Sequence, residues 1–326
     1  MKRLIPTLIL VIICIGAFWY ASSKDFFKEK TEPAASLVKV NKDEVASYSV
    51  KTADSEVEIQ RKDGSWTMSK PSPLPLSEFA VSGWVESFNN VSKDKTVEAN
   101  PSDLAQFGLD KPAKQFTVTM NDGTSHTLSV GSPVAIQGLS YAMVSGSPEV
   151  FTVSDMAVQP LARAPLDFME KSPVKLDYEQ LRELSVEWKG QKWTLAKVDV
   201  DKKSYDAEWK LGDQTLKGTD ASTYLDKVQS MSTAKLARPA AEIKMDAPEL
   251  RIETKSADAS GNQSATAYIG KVEQEQVWVT QEGGQWAYSL PVTTVQELAD
   301  KMKQPPPDPA AAQPQGGTAP PAPAQP

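Results

Sequence analysis

The chain offers few side chains that could make or break a bond. Its 326 residues hold one histidine, His126, and one cysteine, Cys14. A serine hydrolase sets a histidine between a serine and an acid. No G-x-S-x-G elbow is present to hold that serine. His126 follows Asn121-Asp122-Gly123 and shares parity with Leu128 and Val130, so it reads as a polar residue beside a hairpin turn. Carboxylates are plentiful but unpaired. Asp54, Glu56 and Glu58 alternate, the pattern of one solvated strand face rather than of an acid and its base. Asp199, Asp201, Asp206 and Glu208 lack the spacing and the glycine of a calcium loop, and Lys202 and Lys203 interrupt them. Gly270-Lys271 has neither the upstream glycine nor the following Ser/Thr of a phosphate loop. These patterns predict a protein that is not an enzyme, with no metal, no cofactor and no bound nucleotide.

Aromatic rings remain as binding chemistry. There are 8 Trp and 8 Tyr. Exposed rings stack on sugars and peptides. Trp66, Trp84, Trp209 and Tyr224 occupy matching places in two similar stretches and read as core. Trp188, Trp193, Trp278 and Trp286 are less constrained. A contact face for a ligand or partner is expected at Trp278 and Trp286, beside Gly283-Gly284.

The elements that must position these residues are written twice. Asp63 to Val91 aligns with Asp206 to Met231. Val81, Trp84, Val85 and Phe88 match Ala221, Tyr224, Leu225 and Val228, an i, i+3, i+4, i+7 stripe that predicts an amphipathic helix in each copy. Ser77 can cap the first helix and Thr219 or Asp220 the second. Phe107 to Met120 pairs with the segment from Ile243, so Asp110 and Pro112 match Asp246 and Pro248. Gly131 matches Gly270, Ser140 to Val144 matches Val277 to Gln281, and the segment from Val150 matches that from Ala287. Short alternating runs at Glu56 to Arg61, Ser65 to Ser69, Gln115 to Met120 and Ser125 to Val130 predict strands. The fold class expected is α+β: two tandem copies of a mostly antiparallel β unit with one main amphipathic helix each, over residues 36–170 and 171–303, after one N-terminal transmembrane helix.

The ends differ from this body. Leu4 to Ala21 carries no charge over 18 residues, about 27 Å as a helix, close to the hydrocarbon thickness of a bilayer. Phe18, Trp19 and Tyr20 stand at its outer end as an interfacial anchor. Lys2 and Arg3 precede it and about 300 residues follow, so the body is expected outside the cytoplasm. Residues 1–23 read as a retained anchor, with Ser23 the alternative cleavage point, and 24–35 as a linker. Residues 304–326 hold 9 prolines and cannot bury a core. Lys+Arg is 35 against Asp+Glu 42, a net charge of −7. A nucleic-acid partner, which needs a basic surplus, is not expected.

The run Phe107-Gly108-Leu109-Asp110-Lys111-Pro112, preceded by a Trp-ending strand pair and one helix and followed by strands closing on Gly131, resembles the DUF4340 family. These are bacterial envelope proteins with an N-terminal anchor. The resemblance covers nearly the whole body. It implies a setting like that of accessory parts of ABC-2-type transporters linked to gliding motility, and it carries no catalytic residues to transfer. The expectation is a non-catalytic protein, single-pass in the cytoplasmic (inner) membrane with its bulk on the periplasmic side, acting by protein–protein contact with membrane transport-complex subunits. The alternatives are a binding module for glycan or peptidoglycan fragments, and a carboxylate-based envelope hydrolase.

Overall fold

The structure is a computed structural model that describes residues 19–20, 36–135 and 138–303. Trp19 and Tyr20 are helical and exposed. The rest of the apolar stretch, the linker and the proline-rich tail lie outside the described residues. No helix among the described residues is long and apolar enough to cross a membrane.

The body is mostly antiparallel β-sheet with a few helices. The strands are β1 (Val45–Lys51), β2 (Glu56–Lys62), β3 (Ser65–Lys70), β4 (Thr96–Glu98), β5 (Lys114–Met120), β6 (Ser125–Pro133), β7 (Leu139–Val144) and β8 (Val150–Ser154). These are followed by β9 (Leu181–Trp188), β10 (Gln191–Lys197), β11 (Glu208–Leu211), β12 (Gln214–Lys217), β13 (Arg238–Pro239), β14 (Leu250–Ala257), β15 (Gln263–Glu273), β16 (Gln276–Gln281) and β17 (Trp286–Pro291). Three helices of 12 residues stand among them: α1 (Glu78–Asn89), α2 (Gly218–Gln229) and α3 (Val292–Lys303).

Two sheets result, ordered β3-β2-β1-β5-β6-β7-β8-β4 and β12-β11-β10-β9-β14-β15-β16-β17-β13. Read strand for strand, the orders are the same apart from the added edge strand β12. The Asp-Gly turn closes the β5–β6 hairpin, with Thr117 opposite Thr127 and Phe116 opposite Leu128. In both sheets the strand just after the helix (β4, β13) joins the far edge, beside the last strand.

Cα proximity groups the chain into two compact units. One draws on Met1–Val45 and Val85–Ala162, the other on Ala46–Trp84 and Arg163–Pro326. In the first unit Phe116, Val118, Leu128 and Val130 are buried on one face of β5 and β6. Thr117, Thr119, Ser125 and Ser129 stand on the other, with hydroxyl pairs Thr117–Thr127 and Thr119–Ser125 at 2.9 Å. Asn89 Nδ2 donates to the Val40 carbonyl and its Oδ1 accepts from Val40 N, both at 2.8 Å, which ties the end of α1 to the incoming chain.

In the second unit one core joins Leu184, Val186 and Leu195 of the sheet, Ala221, Tyr224, Leu225 and Val228 of α2, and Val295, Leu298 and Met302 of α3. The helix stripe read from sequence is the face that is buried, as the 3.6-residue period requires. Tyr48 on β1 stacks on Trp84 with centroids 4.3 Å apart and planes 8° from parallel, and Phe168 tilts against it at 6.0 Å. Ser77 accepts from Ala80 N through Oγ at 3.4 Å and from Val81 N through its carbonyl at 3.0 Å, as a cap should. The second helix departs from expectation. It starts at Gly218, one residue before Thr219, and no side chain caps it. A Cβ on Gly218 would collide with the Ser204 and Tyr205 carbonyls, so close backbone approach, not a hydroxyl or carboxylate, sets where this helix begins.

Candidate functional site

Three of the carboxylates singled out from the sequence, Glu56, Glu58 and Asp199, are held in ion pairs. Glu56 and Glu58 both bind Lys70 Nζ, at 2.8 and 3.2 Å. The hydrogen bond from Lys70 holds the Glu56 carboxyl below its usual range. Asp199 accepts from Lys202 Nζ at 3.0 Å and Glu208 N at 3.3 Å, and Lys202 holds its carboxyl low in the same way. His126 stands half-buried opposite Val118 at the end of β5–β6. No group of three His, Cys, Asp or Glu able to hold a metal occurs among the described residues.

The expected aromatic contacts separate. Trp278, on β16, is 7% exposed. It packs with Ile243 and Ala287, and the Arg238 guanidinium lies 4.9 Å from its ring centroid. Its counterpart in the first copy is Tyr141, which packs with Phe107, Leu109 and Val150 and meets Phe107 edge-on at 5.1 Å. Val277 and Val279 point into the core, so Trp278 points to the opposite face, where the segment from Ala240 to Met245 covers it.

Trp286 is half-exposed and lines a cleft of about 240 Å³. Tyr268 of β15 and Tyr288 of β17 share that wall, and the strap Ser172-Pro173 with Lys175 forms the other side. Tyr268 Oη accepts from Lys175 N at 3.4 Å, which fixes the strap. Burial, then the nearby Glu170, raises the Tyr288 phenol to about 12, so it stays a neutral donor. Glu170 in turn pairs with Lys175 at 3.2 Å. The cleft thus offers ring faces, phenol groups and Lys175, whose ammonium is paired to Glu170 outside the lining, a set that binds a polar ligand with apolar faces. Gly284 also contributes to its lining. Tyr268 and Tyr288 carried no such signal, because strand aromatics with period 2 look like core.

The Phe107 to Pro112 turn has a different role. Phe107 and Leu109 are buried; Asp110 is exposed. Gly108 takes φ +66°, and its N–H donates to the Ala105 carbonyl at 3.0 Å. A Cβ on Gly131 would strike the Phe107 carbonyl, and a Cβ on Gly108 would strike Ser132 Oγ. The two glycines let turn and strand touch backbone to backbone. The carboxylate that caps locally is Asp103, whose Oδ1 accepts from Ala105 N at 2.8 Å. Asp110 makes no such bond among the described residues. Pro112, half-buried, ends the turn ahead of β5.

This turn is also where a family model matches. The model, described as a domain of unknown function (DUF4340), covers residues 66–248. The chain belongs to the DUF4340 family. The match runs from Trp66 on β3, through α1 and the Gly108–Gly131 lock, to Pro248 of the second Asp-x-Pro turn. No curated protein and no solved structure matches the chain.

Proposed function

We propose that this chain is a non-catalytic protein, held by a single N-terminal span in the inner membrane with its body on the periplasmic side. It works through protein–protein contact as an accessory component of an ABC-type transport or cell-envelope complex. The observation that carries this reading is the union of an 18-residue uncharged N-terminal stretch with a body whose two sheets repeat one strand order. The body is then two tandem copies, 36–170 and 171–303, each offering one polar sheet face to a neighbour. Confinement to the membrane plane raises the effective concentration of that body near membrane partners.

Crosslinking in native membranes, with intact-mass analysis of the same protein, tests the reading. Recovery of transporter subunits by a chain that retains residues 1–23 supports it. Recovery of the chain alone, under conditions that hold known membrane complexes together, sinks it.

A second reading is favoured by the cleft of Tyr268, Trp286 and Tyr288: binding of a glycan or peptidoglycan fragment. Titration with wall fragments should change Trp fluorescence in the native chain and not in Trp286→Phe. A flat titration removes this alternative.

A further inference from the structure

Lys197, the last residue of β10, is 7% exposed, and its Nζ has no hydrogen-bond partner among the described residues. It sits on the core side of the strand, in step with Leu195, and bounds a groove of about 570 Å³. Arg182 of the adjacent strand β9 lines the same groove, with Lys255, Ser256, Gln263 and Ser264. Among the described residues Arg182 meets no carboxylate; its Nη1 donates to the Glu179 and Leu181 carbonyls at 2.9 and 3.4 Å. Glu183, the one acid in the lining, is taken by Lys255 at 2.9 Å. Glu179 and Asp201 act on Lys197 only through space.

Of the three cations in the lining, Lys255 is paired with Glu183, and Lys197 and Arg182 are left without a bonded carboxylate among the described residues. A buried ammonium without acceptors is costly, and a facing guanidinium adds repulsion. Both burial and Arg182 push the Lys197 amine below its ordinary range. The four-carbon stem of lysine turns easily, so Nζ can swing toward the groove when an acceptor arrives. A guanidinium and an ammonium together match a planar or tetrahedral oxygen anion, and the Ser256 and Ser264 hydroxyls with the Gln263 amide add donors at the rim.

We infer that the groove bounded by Lys197 and Arg182 binds a compact oxyanion, the carboxylate or phosphate group of a small molecule. This is independent of the reading given above and of the cleft at Trp286.

Inorganic phosphate and acetate, each added to the full chain in detergent, are the probes. Thermal melts are run at constant ionic strength set with sodium chloride. A saturable rise in Tm with either probe is expected in the native chain. Arg182→Met should weaken the apparent affinity about tenfold, the loss of one charge-assisted hydrogen bond, and Lys197→Met should abolish the rise. Lys197→Met replaces a buried charge by a side chain of similar length and is expected to fold. A response to phosphate alone assigns a phosphate group; a response to acetate alone assigns a carboxylate. No rise with either probe, or an equal rise in native and Lys197→Met chains, overturns the inference.

Discussion

The two sheets share a strand order but not a surface. On the first, the open face of β5 and β6 is a ladder of uncharged hydroxyls, with Thr117–Thr127 and Thr119–Ser125 at 2.9 Å and Ser145 Oγ accepting from Thr127 N at 2.9 Å. On the second, the same face is laced with ions. Arg251 reaches Glu253 at 2.6 Å and Glu282 at 2.8 Å, and Lys255 reaches Glu183 at 2.9 Å. The core side differs as well. The first sheet is followed by a four-residue helical turn, Asp155–Val158, where the second carries the 12-residue α3. Strand order is fixed by apolar stripes and turns, which both halves keep. The chemistry displayed on that frame is free to diverge, and the aromatic cleft and the cationic groove both belong to the second sheet.

The largest expected difference lies at the matched glycines. Gly131→Ala drives a Cβ into the Phe107 carbonyl, which is backbone and cannot yield. It should cost about 3 kcal/mol in urea unfolding. Gly270→Ala meets the Leu250 Cβ and Val277 Cγ1, both at 2.9 Å, in a cluster of side chains that can shift, and should cost about 1 kcal/mol. Equal losses would mean that the two turns are held alike.

Next come two of the three buried polar atoms without a hydrogen-bond partner among the described residues, Tyr48 Oη and Lys197 Nζ; the third is Ser289 Oγ. Lys197→Met should stabilise the chain by about 1–3 kcal/mol, and Tyr48→Phe by somewhat less. A loss in either variant would mean that the polar atom is satisfied in solution.

The pH dependence from Lys197 has the opposite sign to that from Tyr288. The Lys197 amine is depressed in the folded chain from 10.5. Above the depressed value the unfolded chain binds more protons, so this residue makes stability rise with pH toward 10.5. Tyr288 is raised from 10.0 to about 12, so across that window the folded chain binds more protons and stability falls as pH rises. Denaturation series of Lys197→Met and Tyr288→Phe should each flatten one slope; an unchanged slope contradicts the burial assigned to that residue.

The smallest effect belongs to the ion ladder. Arg251→Met should cost less than about 1 kcal/mol, and the cost should shrink with added salt, because these groups are exposed. A salt-independent loss would show that the charged face is a packed contact rather than a solvated one.

Much of the fold is legible along the chain. The stripe Val81, Trp84, Val85 and Phe88 is the buried face of α1, and the Asp-Gly turn marks β5–β6. These signals are local, set by the period of one element. The added edge strand β12 and the full length of α3 are less so, since neighbours decide whether a short polar run pairs or a helix continues. Trp278 and Trp286 read alike in sequence, both unconstrained beside Gly283-Gly284, until the segment from Ala240 to Met245 is seen to cover Trp278. Lys197 is invisible in sequence. A lysine at a strand end usually leaves its amine in water, and only the surrounding chain shows that this one does not.

The placement of β4 and β13 has a kinetic consequence. Within β5 to β8 and within β14 to β17, consecutive strands pair through short connections. β4 must instead wait for β8, and β13 for β17, because the partner lies at the far end of its own meander. Loop closure favours near neighbours in sequence. Each sheet is therefore expected to assemble as a four-stranded meander first and to gain this edge last. In pulsed hydrogen exchange, amides of β6 and β15 should gain protection before those paired across β4–β8 and β13–β17.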